Sequence, residues 1–297
     1  MKIKTFIILF IFTVLTSCSF NKLFLRPTKL PANTKKIKIK SGNDTIVVQF
    51  DTITYKPTFL KTNNDTLQHD FTIESVSFTS ANGHKLNGWF LKPKNIKPQI
   101  TILHLHGNAG FLVSQYKAIA GLTKYGFQIF MFDYSGFGFS EGKATKKNVL
   151  TDALSALDYL KTRNDIKNTK LIIYGQSLGG HLSAVVAEKR QNDIDGLVIE
   201  SAFSSHKDIA ANMAGIIGRI FVNEKYSAIE SIKNYKKPLL VIHSTEDKTV
   251  PFYMGQKIYE TANQPKDFFK IKHRHISGVI YYSKQISQKI KKMLGLV

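Results

Sequence analysis

The chain has 297 residues, of which 43% are hydrophobic and 21% are charged, with 19 glycines and 8 prolines. This composition excludes a disordered chain, a collagen-like repeat and a polytopic membrane protein, and a chain of this length buries a sizeable core unaided. The formal net charge is +21, yet only five of the 42 basic residues are arginine. Because nucleic-acid recognition favours arginine, we expect no nucleic-acid partner and assign the charge to the general surface or to an anionic membrane.

Residues 1–17 have the pattern of a secretory signal peptide. A short basic start precedes an almost unbroken apolar run over residues 6–15, which is too short to span a bilayer. The sequence Leu15-Thr16-Ser17-Cys18 that follows resembles the lipobox of bacterial lipoproteins, in which the signal is removed and the cysteine carries acyl chains. We therefore expect a cell-envelope protein, anchored to a membrane outside the cytoplasm through Cys18. The alternative is that Cys18, the single cysteine of the chain, is a free structural cysteine.

Residues 18–43 are predicted to form a tether between the lipid anchor and a folded domain that covers residues 44–297. The segment contains Pro27, Pro31 and a lysine-rich stretch over residues 35–40. These lysines would either lie on anionic headgroups or keep a linker soluble.

The first strands of the domain are predicted at residues 46–50 and 71–79, where β-branched and aromatic residues are dense. An Asn82-Gly83 turn then leads into a strand over residues 86–91. Further strands are predicted at 99–105, 127–132, 171–174, 196–200, 238–243 and 267–272, and helices at 112–124, 149–160, 179–189 and around 286–294. This alternation predicts an α/β fold, with a mostly parallel sheet covered by helices on both faces and antiparallel strands at its N-terminal edge.

The sequence Gly175-Gln176-Ser177-Leu178-Gly179 fits the G-x-S-x-G pattern of a nucleophile elbow. In that motif a serine occupies a strained turn between a strand and a helix, where larger flanking side chains would clash. The pattern has the required context, because a predicted strand precedes it and a predicted helix follows. We predict Ser177 as a nucleophile; the alternative is a glycine-flanked structural turn.

A serine hydroxyl needs a base to take its proton, and the base needs a carboxylate to orient it; in elbow enzymes both follow the serine, the acid first. Asp247 lies in the loop after the strand at 238–243, at the sheet edge where catalytic groups of α/β proteins gather. Glu246 or a merely solvated turn carboxylate is the alternative. After the last strand we expect His275 to be the base, with His273 as the alternative base or as an ordinary histidine at the end of the strand.

Backbone N–H groups of Asn108 and Leu178 are predicted to stabilise the oxyanion. The run His106-Gly107-Asn108-Ala109-Gly110 supplies a tight glycine-rich turn after a strand, and Leu178 follows the serine. His104 and His106 form an H-x-H pair, but no third ligand has suitable spacing for zinc. We therefore expect no metal and no cofactor.

Four segments of the sequence occur together: the turn at residues 106–110, the run Asp133-Tyr134-Ser135-Gly136-Phe137-Gly138-Phe139-Ser140-Glu141-Gly142, the Ser177 elbow and the Asp247 loop. Together they resemble the α/β-hydrolase superfamily over about residues 70–297, most closely its serine-aminopeptidase-like branch of lipases, esterases and membrane-associated acyl-protein thioesterases. The resemblance implies a structural or pocket-lining role for Asp133 and Tyr134. The chain departs from the family two or three residues before the catalytic histidine, where members commonly carry a glycine-led turn and Lys272 and His273 stand here.

The resemblance implies a serine hydrolase that cleaves a carboxylic ester or thioester, with lipid-like acyl groups among the candidate substrates, and that needs no cofactor. Ser177 would form an acyl-enzyme, His275 would act as base and then as acid, and Asp247 would orient the imidazolium. The expected partners are a small acyl substrate and the membrane, and the sequence makes no prediction of an oligomeric state. The alternatives are an amide or peptide hydrolase of the aminopeptidase type and a catalytically silent surface binding protein.

Residues 201–236 are predicted to form a short helical lid. Its apolar residues would lie on one face, and they are Ile209, Met213, Ile216, Ile217, Ile220 and Phe221. This face is expected either to line an acyl-chain pocket or to pack on the core.

Overall fold

The computed structural model describes residues 24–42 and 44–297, so the predicted signal peptide and Cys18 lie outside the described residues. The strands are β1 (Arg26–Pro27), β2 (Lys36–Ser41), β3 (Asp44–Phe50), β4 (Pro57–Leu60), β5 (Phe71–Thr79), β6 (Lys85–Pro93), β7 (Ile100–Leu105), β8 (Ala109–Gly110), β9 (Phe127–Phe132), β10 (Lys170–Gln176), β11 (Gly196–Glu200), β12 (Leu239–Ser244) and β13 (Lys266–Ile271). The α-helices are α1 (Leu112–Gln115), α2 (Lys117–Ala120), α3 (Lys146–Thr162), α4 (Leu178–Lys189), α5 (His206–Phe221), α6 (Ala228–Ile232), α7 (Phe252–Thr261) and α8 (Gly278–Met293). None of these helices has the length and hydropathy that crossing a bilayer requires.

Eight strands form the central sheet in the order β13-β12-β11-β10-β7-β9-β6-β5. The strands from β13 to β9 run parallel, and β6 and β5 are added antiparallel at one edge. Every residue of β7, β9, β11 and β12 is buried, as expected for strands that are covered on both faces. The predicted fold class is confirmed.

The helices divide between the two faces of the sheet. Alternate residues of β10 show this, because Ile173 packs in the apolar layer that contains α3 and α4, whereas Ile172 packs in the layer that contains α8. Since side chains alternate along a strand, both sets of β10 side chains enter a core.

The helix predicted over residues 112–124 is not continuous in the structure. It is divided into α1, α2 and a 3₁₀ turn over Gly121–Tyr125. Gly121 permits close packing here, since a Cβ at this position would lie 3.2 Å from a side-chain methyl of Val279 in α8. The segment ends at Gly126, which has a φ of 85° and so occupies the left-handed region that glycine tolerates.

The described part of the predicted tether, residues 24–42, packs on the domain, and the predicted domain start at residue 44 is therefore wrong. β1 pairs with β8, and β2 pairs with β3 in a separate three-stranded sheet. In β2 the lysines are exposed, while Ile37 and Ile39 pack against the core. The physical reason is the alternation of lysine and isoleucine, which has the period of a half-buried strand.

Candidate active site

Ser177 occupies the turn between β10 and α4, where its backbone has φ 55° and ψ −118°. This left-handed φ is strained for a residue with a side chain. The flanking glycines are required by space, because a Cβ at Gly175 would overlap the carbonyl oxygen of Gly179, and one at Gly179 would overlap that of Leu105. The local sequence therefore forms the sharp strand-to-helix turn that its G-x-S-x-G pattern predicts.

A continuous chain of hydrogen bonds joins three residues that are far apart in the sequence. The Ser177 hydroxyl donates to His275 Nε2 at 2.9 Å, and His275 Nδ1–H donates to Asp247 Oδ2 at 2.7 Å. The other carboxylate oxygen of Asp247 accepts from the N–H groups of Thr249 at 2.8 Å and Val250 at 2.9 Å. The three residues come from loops that follow β10, β12 and β13, at the edge where ligands meet a parallel sheet.

The carboxylate of Asp247 is held in its ionised form. Burial alone would raise its pKa, but the hydrogen bond and charge of His275, together with the two backbone N–H donors, hold the pKa below its ordinary value. An ionised Asp247 fixes the tautomer of His275 with the proton on Nδ1, which leaves Nε2 free to accept the proton of Ser177.

His273 and Glu246 lie in the same loops but take no part in this chain of hydrogen bonds. The alternative that His273 belongs to the end of the last strand is wrong, because β13 ends at Ile271 and His273 has a left-handed φ of 82°. Its ring stacks on Tyr281 with centroids 4.0 Å apart. Its N–H donates to Glu246 Oε2 at 3.0 Å, so the Glu246 carboxylate binds loop backbone rather than the imidazole of His275.

Of the two residues predicted to supply oxyanion donors, Leu178 directly follows the serine, and Asn108 directly follows Gly107, which packs against the serine. Leu178 is the first residue of α4, where backbone N–H groups have no partner within the helix. On the other side, a Cβ built on Gly107 would lie 3.7 Å from Cβ of Ser177, which places the 106–110 turn against the nucleophile. The carbonyl of Asn108 accepts a hydrogen bond from Arg26 N–H at 2.8 Å, so β1 braces this turn.

Buried polar side chains hold the 106–110 turn and the residue that starts α1 just after it. The Tyr134 hydroxyl donates to the carbonyl of His106 at 3.0 Å, and Asp133 accepts from the N–H of Leu112 at 2.9 Å. Burial lowers the pKa of His106 to about 4, and burial raises the pKa of Asp133 to about 8. Asp133 and Tyr134 thus support the loop structurally.

The rings of His104 and His106 point to separate partners. His104 Nε2 contacts Gln176 Oε1 at 3.0 Å, and His106 Nδ1–H donates to the carbonyl of Gly107 at 2.8 Å. Among the residues that the structure describes, no group of three or more His, Cys, Asp or Glu side chains is placed to hold a metal ion.

Glu200 is a buried carboxylate that sequence reasoning missed. Oε1 accepts the N–H of Gly278 at 2.7 Å, and Oε2 accepts from the Tyr174 hydroxyl and from Gln176 Nε2, each at 2.7 Å. Burial raises the pKa of Glu200, and the three donors and the imidazole of His275 oppose that rise. Glu200 thus joins the ends of β10 and β11 to Gly278, the first residue of α8. Gly278 lies three residues after His275, so this contact also holds the loop that carries His275. The signal of Glu200 in the sequence is a charged residue at the end of an otherwise apolar strand.

We expect Glu200→Gln to lower both stability and turnover. All three partners of the carboxylate are donors, so the glutamine NH₂ would face a donor and leave a buried group unpaired, at about 1–3 kcal/mol. Displacement of the His275 loop would reduce kcat by up to about 10²-fold. Thermal unfolding and ester hydrolysis measure the two effects. The matched control is Glu246→Gln, which changes an exposed carboxylate that also binds a loop N–H; equal effects of the two substitutions would contradict this role of Glu200.

Residues 100–217 match the profile of a family described as alpha/beta hydrolase fold. The chain is similar to the uncharacterized protein YfhR of Salmonella typhi, with 36% identity over 207 residues, covering 65% of this chain and 70% of that protein. It is also similar to the lysophosphatidylserine lipase ABHD12 of Mus musculus, with 29% identity over 257 residues, covering 75% of this chain and 62% of that protein.

Two solved structures of esterases share the architecture. The esterase Pf2001 of Pyrococcus furiosus superposes with a TM-score of 0.61 at 20% identity, covering 76% of this chain and 92% of that chain. Est1E from Butyrivibrio proteoclasticus also gives a TM-score of 0.61, at 18% identity, covering 74% of this chain and 99% of that chain. At these identities the likeness shows the fold alone.

Proposed function

The chain belongs to the α/β-hydrolase fold family, and from this premise we propose that it is a serine hydrolase that cleaves carboxylic esters or thioesters. The observation that carries the proposal is the hydrogen-bond chain from the Ser177 hydroxyl through His275 to Asp247. A nucleophile, a base and an orienting carboxylate within hydrogen-bond distance are what nucleophilic acyl transfer requires. Esterase and lipase neighbours support a hydrolase of this kind.

In the proposed mechanism, Ser177 Oγ attacks the acyl carbonyl carbon while its proton passes to His275 Nε2. The negative charge on the carbonyl oxygen is stabilised by the backbone N–H groups of Asn108 and Leu178. His275 then protonates the leaving alcohol or thiol, which gives an acyl-enzyme. The same imidazole removes a proton from water, which attacks the acyl-enzyme and releases the acid. Asp247 stabilises the imidazolium without taking its proton.

Buried apolar side chains pack beside the nucleophile. Leu178 belongs to a small apolar cluster with Phe203, Ile209, Val250 and Met254, which lies between the lid and the loop that carries Asp247. Apolar side chains next to a reactive hydroxyl bind the alkyl part of an acyl substrate, while the donors near Ser177 bind its carbonyl. The similar protein ABHD12 is a lysophosphatidylserine lipase, which supports the same bond type.

The proposal is tested by hydrolysis of matched esters, thioesters and amides of graded acyl length, together with labelling by a fluorophosphonate probe. We expect labelling of the wild type and turnover of esters or thioesters, with a length optimum that measures the acyl pocket. Preferential turnover of amides would instead assign a peptidase. Absence of both labelling and turnover would leave a silent binding protein and contradict the proposal.

We also propose that the chain is anchored to a membrane of the cell envelope through acyl chains on Cys18. The support is the sequence Leu15-Thr16-Ser17-Cys18 after an apolar segment. We expect Cys18→Ser to abolish incorporation of an alkyne-labelled fatty acid and to release the chain from the detergent phase, with specific activity unchanged. Metabolic labelling followed by detergent phase separation makes the measurement. Labelling of the Cys18→Ser variant would contradict the anchor.

A further inference from the structure

The lid helix α5 exposes a cluster of large apolar side chains. Exposed fractions are 53% for Met213, 67% for Ile216, 58% for Ile217 and 65% for Ile220. Neither sequence-based interpretation of this face accounts for these four residues, since they neither line a closed pocket nor pack on the core. At the start of the helix, Ile209 and Ala210 are buried in the apolar cluster beside Ser177. A contiguous exposed apolar surface of this kind is typical of an interaction site.

The shape of α5 explains why these side chains face outward. The helix is interrupted at Ala214 and at Gly215, which has a left-handed φ of 59°. Its second half folds back on the first, because a Cβ on Gly218 would overlap the carbonyl oxygen of Ala210. Arg219 holds the fold with a 2.9 Å ion pair to Asp208. The four exposed apolar residues lie beside or after this break, and we call them the tip of α5: Met213, Ile216, Ile217 and Ile220.

Further exposed apolar side chains lie at the same edge of the central sheet. Tyr253 is 50% exposed, Ile280 49% and Tyr281 54%. They begin α7 and α8, which follow the loops that carry Asp247 and His275 at the carboxyl ends of the parallel strands. The apolar surface thus lies at the carboxyl ends of the parallel strands, where the candidate active site also lies.

A basic cavity adjoins the lid. Its volume is about 920 Å³, and it lies between the N-terminal segment, the start of α3 and the segment after α5. Its lining includes five lysines, of which Lys146 is buried and donates to the carbonyl of Asn223, and Lys29 donates to that of Ser140. The other three, Lys143, Lys147 and Lys225, are exposed. These three lysines lie beside the segment that follows α5, and they match the phosphates of an anionic bilayer that the apolar side chains of α5 would enter.

The first described residue, Phe24, packs against the two ends of α5, and the next residue, Leu25, lines the basic cavity. The Phe24 ring lies 4.9 Å from the ring of His206, at the first residue of α5, and is buried with Ile209 and Val222. Cys18 precedes Phe24 by six residues, and six residues span at most about 20 Å. Acyl chains on Cys18 would therefore hold the bilayer close to the lid.

We propose that the tip of α5 and the adjoining basic cavity form a docking surface for an anionic lipid bilayer. The apolar side chains enter the boundary between headgroups and acyl chains, and the lysines bind lipid phosphates. The docked orientation turns the edge that carries Ser177 toward the membrane, so that an acyl lipid reaches it from the bilayer. This inference goes beyond the hydrolase activity, and of its three supports only the chain-length argument rests on the proposed anchor at Cys18.

Insertion of the lid is tested with a tryptophan reporter in the full chain bound to anionic vesicles. The one native tryptophan, Trp89, is 1% exposed and gives a constant background. We expect the emission of the Ile217→Trp variant to shift to shorter wavelength and to be quenched by lipids brominated on their acyl chains. The matched control is Ile96→Trp. Ile96 is also exposed, at 45%, but it precedes β7 and so lies at the amino ends of the parallel strands, away from Ser177.

Two results of this experiment would overturn the docking surface. One is an unquenched Ile217→Trp variant that nevertheless sediments with the vesicles, which would leave the anchor intact and the docking surface wrong. The other is a shift to shorter wavelength without vesicles that depends on protein concentration, which would assign the apolar face to a second copy of the chain.

The basic cavity is tested by charge reversal in a Cys18→Ser background, in which no acyl chain on Cys18 contributes to binding. We expect Lys143→Glu with Lys147→Glu to weaken binding to phosphatidylglycerol vesicles by at least about tenfold. Binding to neutral phosphatidylcholine vesicles should change little. The matched control is Lys97→Glu with Lys167→Glu. These lysines precede β7 and β10, so they lie at the amino ends of the parallel strands. Equal weakening by both pairs would show a general charge effect and overturn the role of the cavity.

Discussion

Replacing Ser177 with alanine is expected to lower kcat by about 10⁴–10⁶-fold, as in enzymes where a triad acts as a unit. Without the hydroxyl there is no atom for His275 to deprotonate, and the acyl-enzyme cannot form. Binding of substrate should change little, because the apolar cluster beside the serine is retained. Steady-state kinetics on the preferred ester measures the loss, and the fluorophosphonate probe should no longer label the chain.

Ser201→Ala is the matched control for this substitution. Ser201 is buried, follows the neighbouring strand β11 and has a left-handed φ of 51°, so it resembles Ser177 in backbone and burial. Within the described residues its hydroxyl has no hydrogen-bond partner, so its removal breaks no bond. We expect near wild-type turnover from Ser201→Ala. A Ser177→Ala variant that keeps more than a small fraction of wild-type turnover would remove the nucleophile from the proposal.

Several strands and the elbow at Ser177 could be predicted from the sequence, because the residue patterns that mark them are local. The strand at residues 71–79 is marked by its dense β-branched and aromatic residues, and the elbow at Ser177 by the glycines that its tight turn requires. The superfamily resemblance is confirmed by the family match, and the structure brings Ser177, His275 and Asp247 together as the chain order suggested. Order along the chain is informative here because parallel strands place their following loops at one edge.

Other features depend on packing that no local pattern contains. Glu200 has its role only because the N–H of Gly278, 78 positions later, lies beside it. Residues 24–30 look like a proline-containing linker, yet they pair with the turn that carries Asn108. The apolar residues of the lid have helical spacing, but the sequence does not show that the break at Gly215 turns them outward. Partners distant in sequence decide the first two cases, and a change in backbone conformation decides the third.

Replacing His275 with alanine is expected to lower kcat about as severely as Ser177→Ala, whereas His273→Ala should have a small effect. His275 is the only histidine among the described residues whose ring bonds to Ser177, so its loss removes both the base and the acid of the reaction. His273→Ala loses a ring stacked on Tyr281 and leaves the backbone N–H that Glu246 binds. Kinetics of both variants on one ester, with thermal unfolding to confirm folding, makes a matched comparison of two histidines in one loop. Severe loss from His273→Ala with mild loss from His275→Ala would move the base to His273 and require a rearranged loop in the active enzyme.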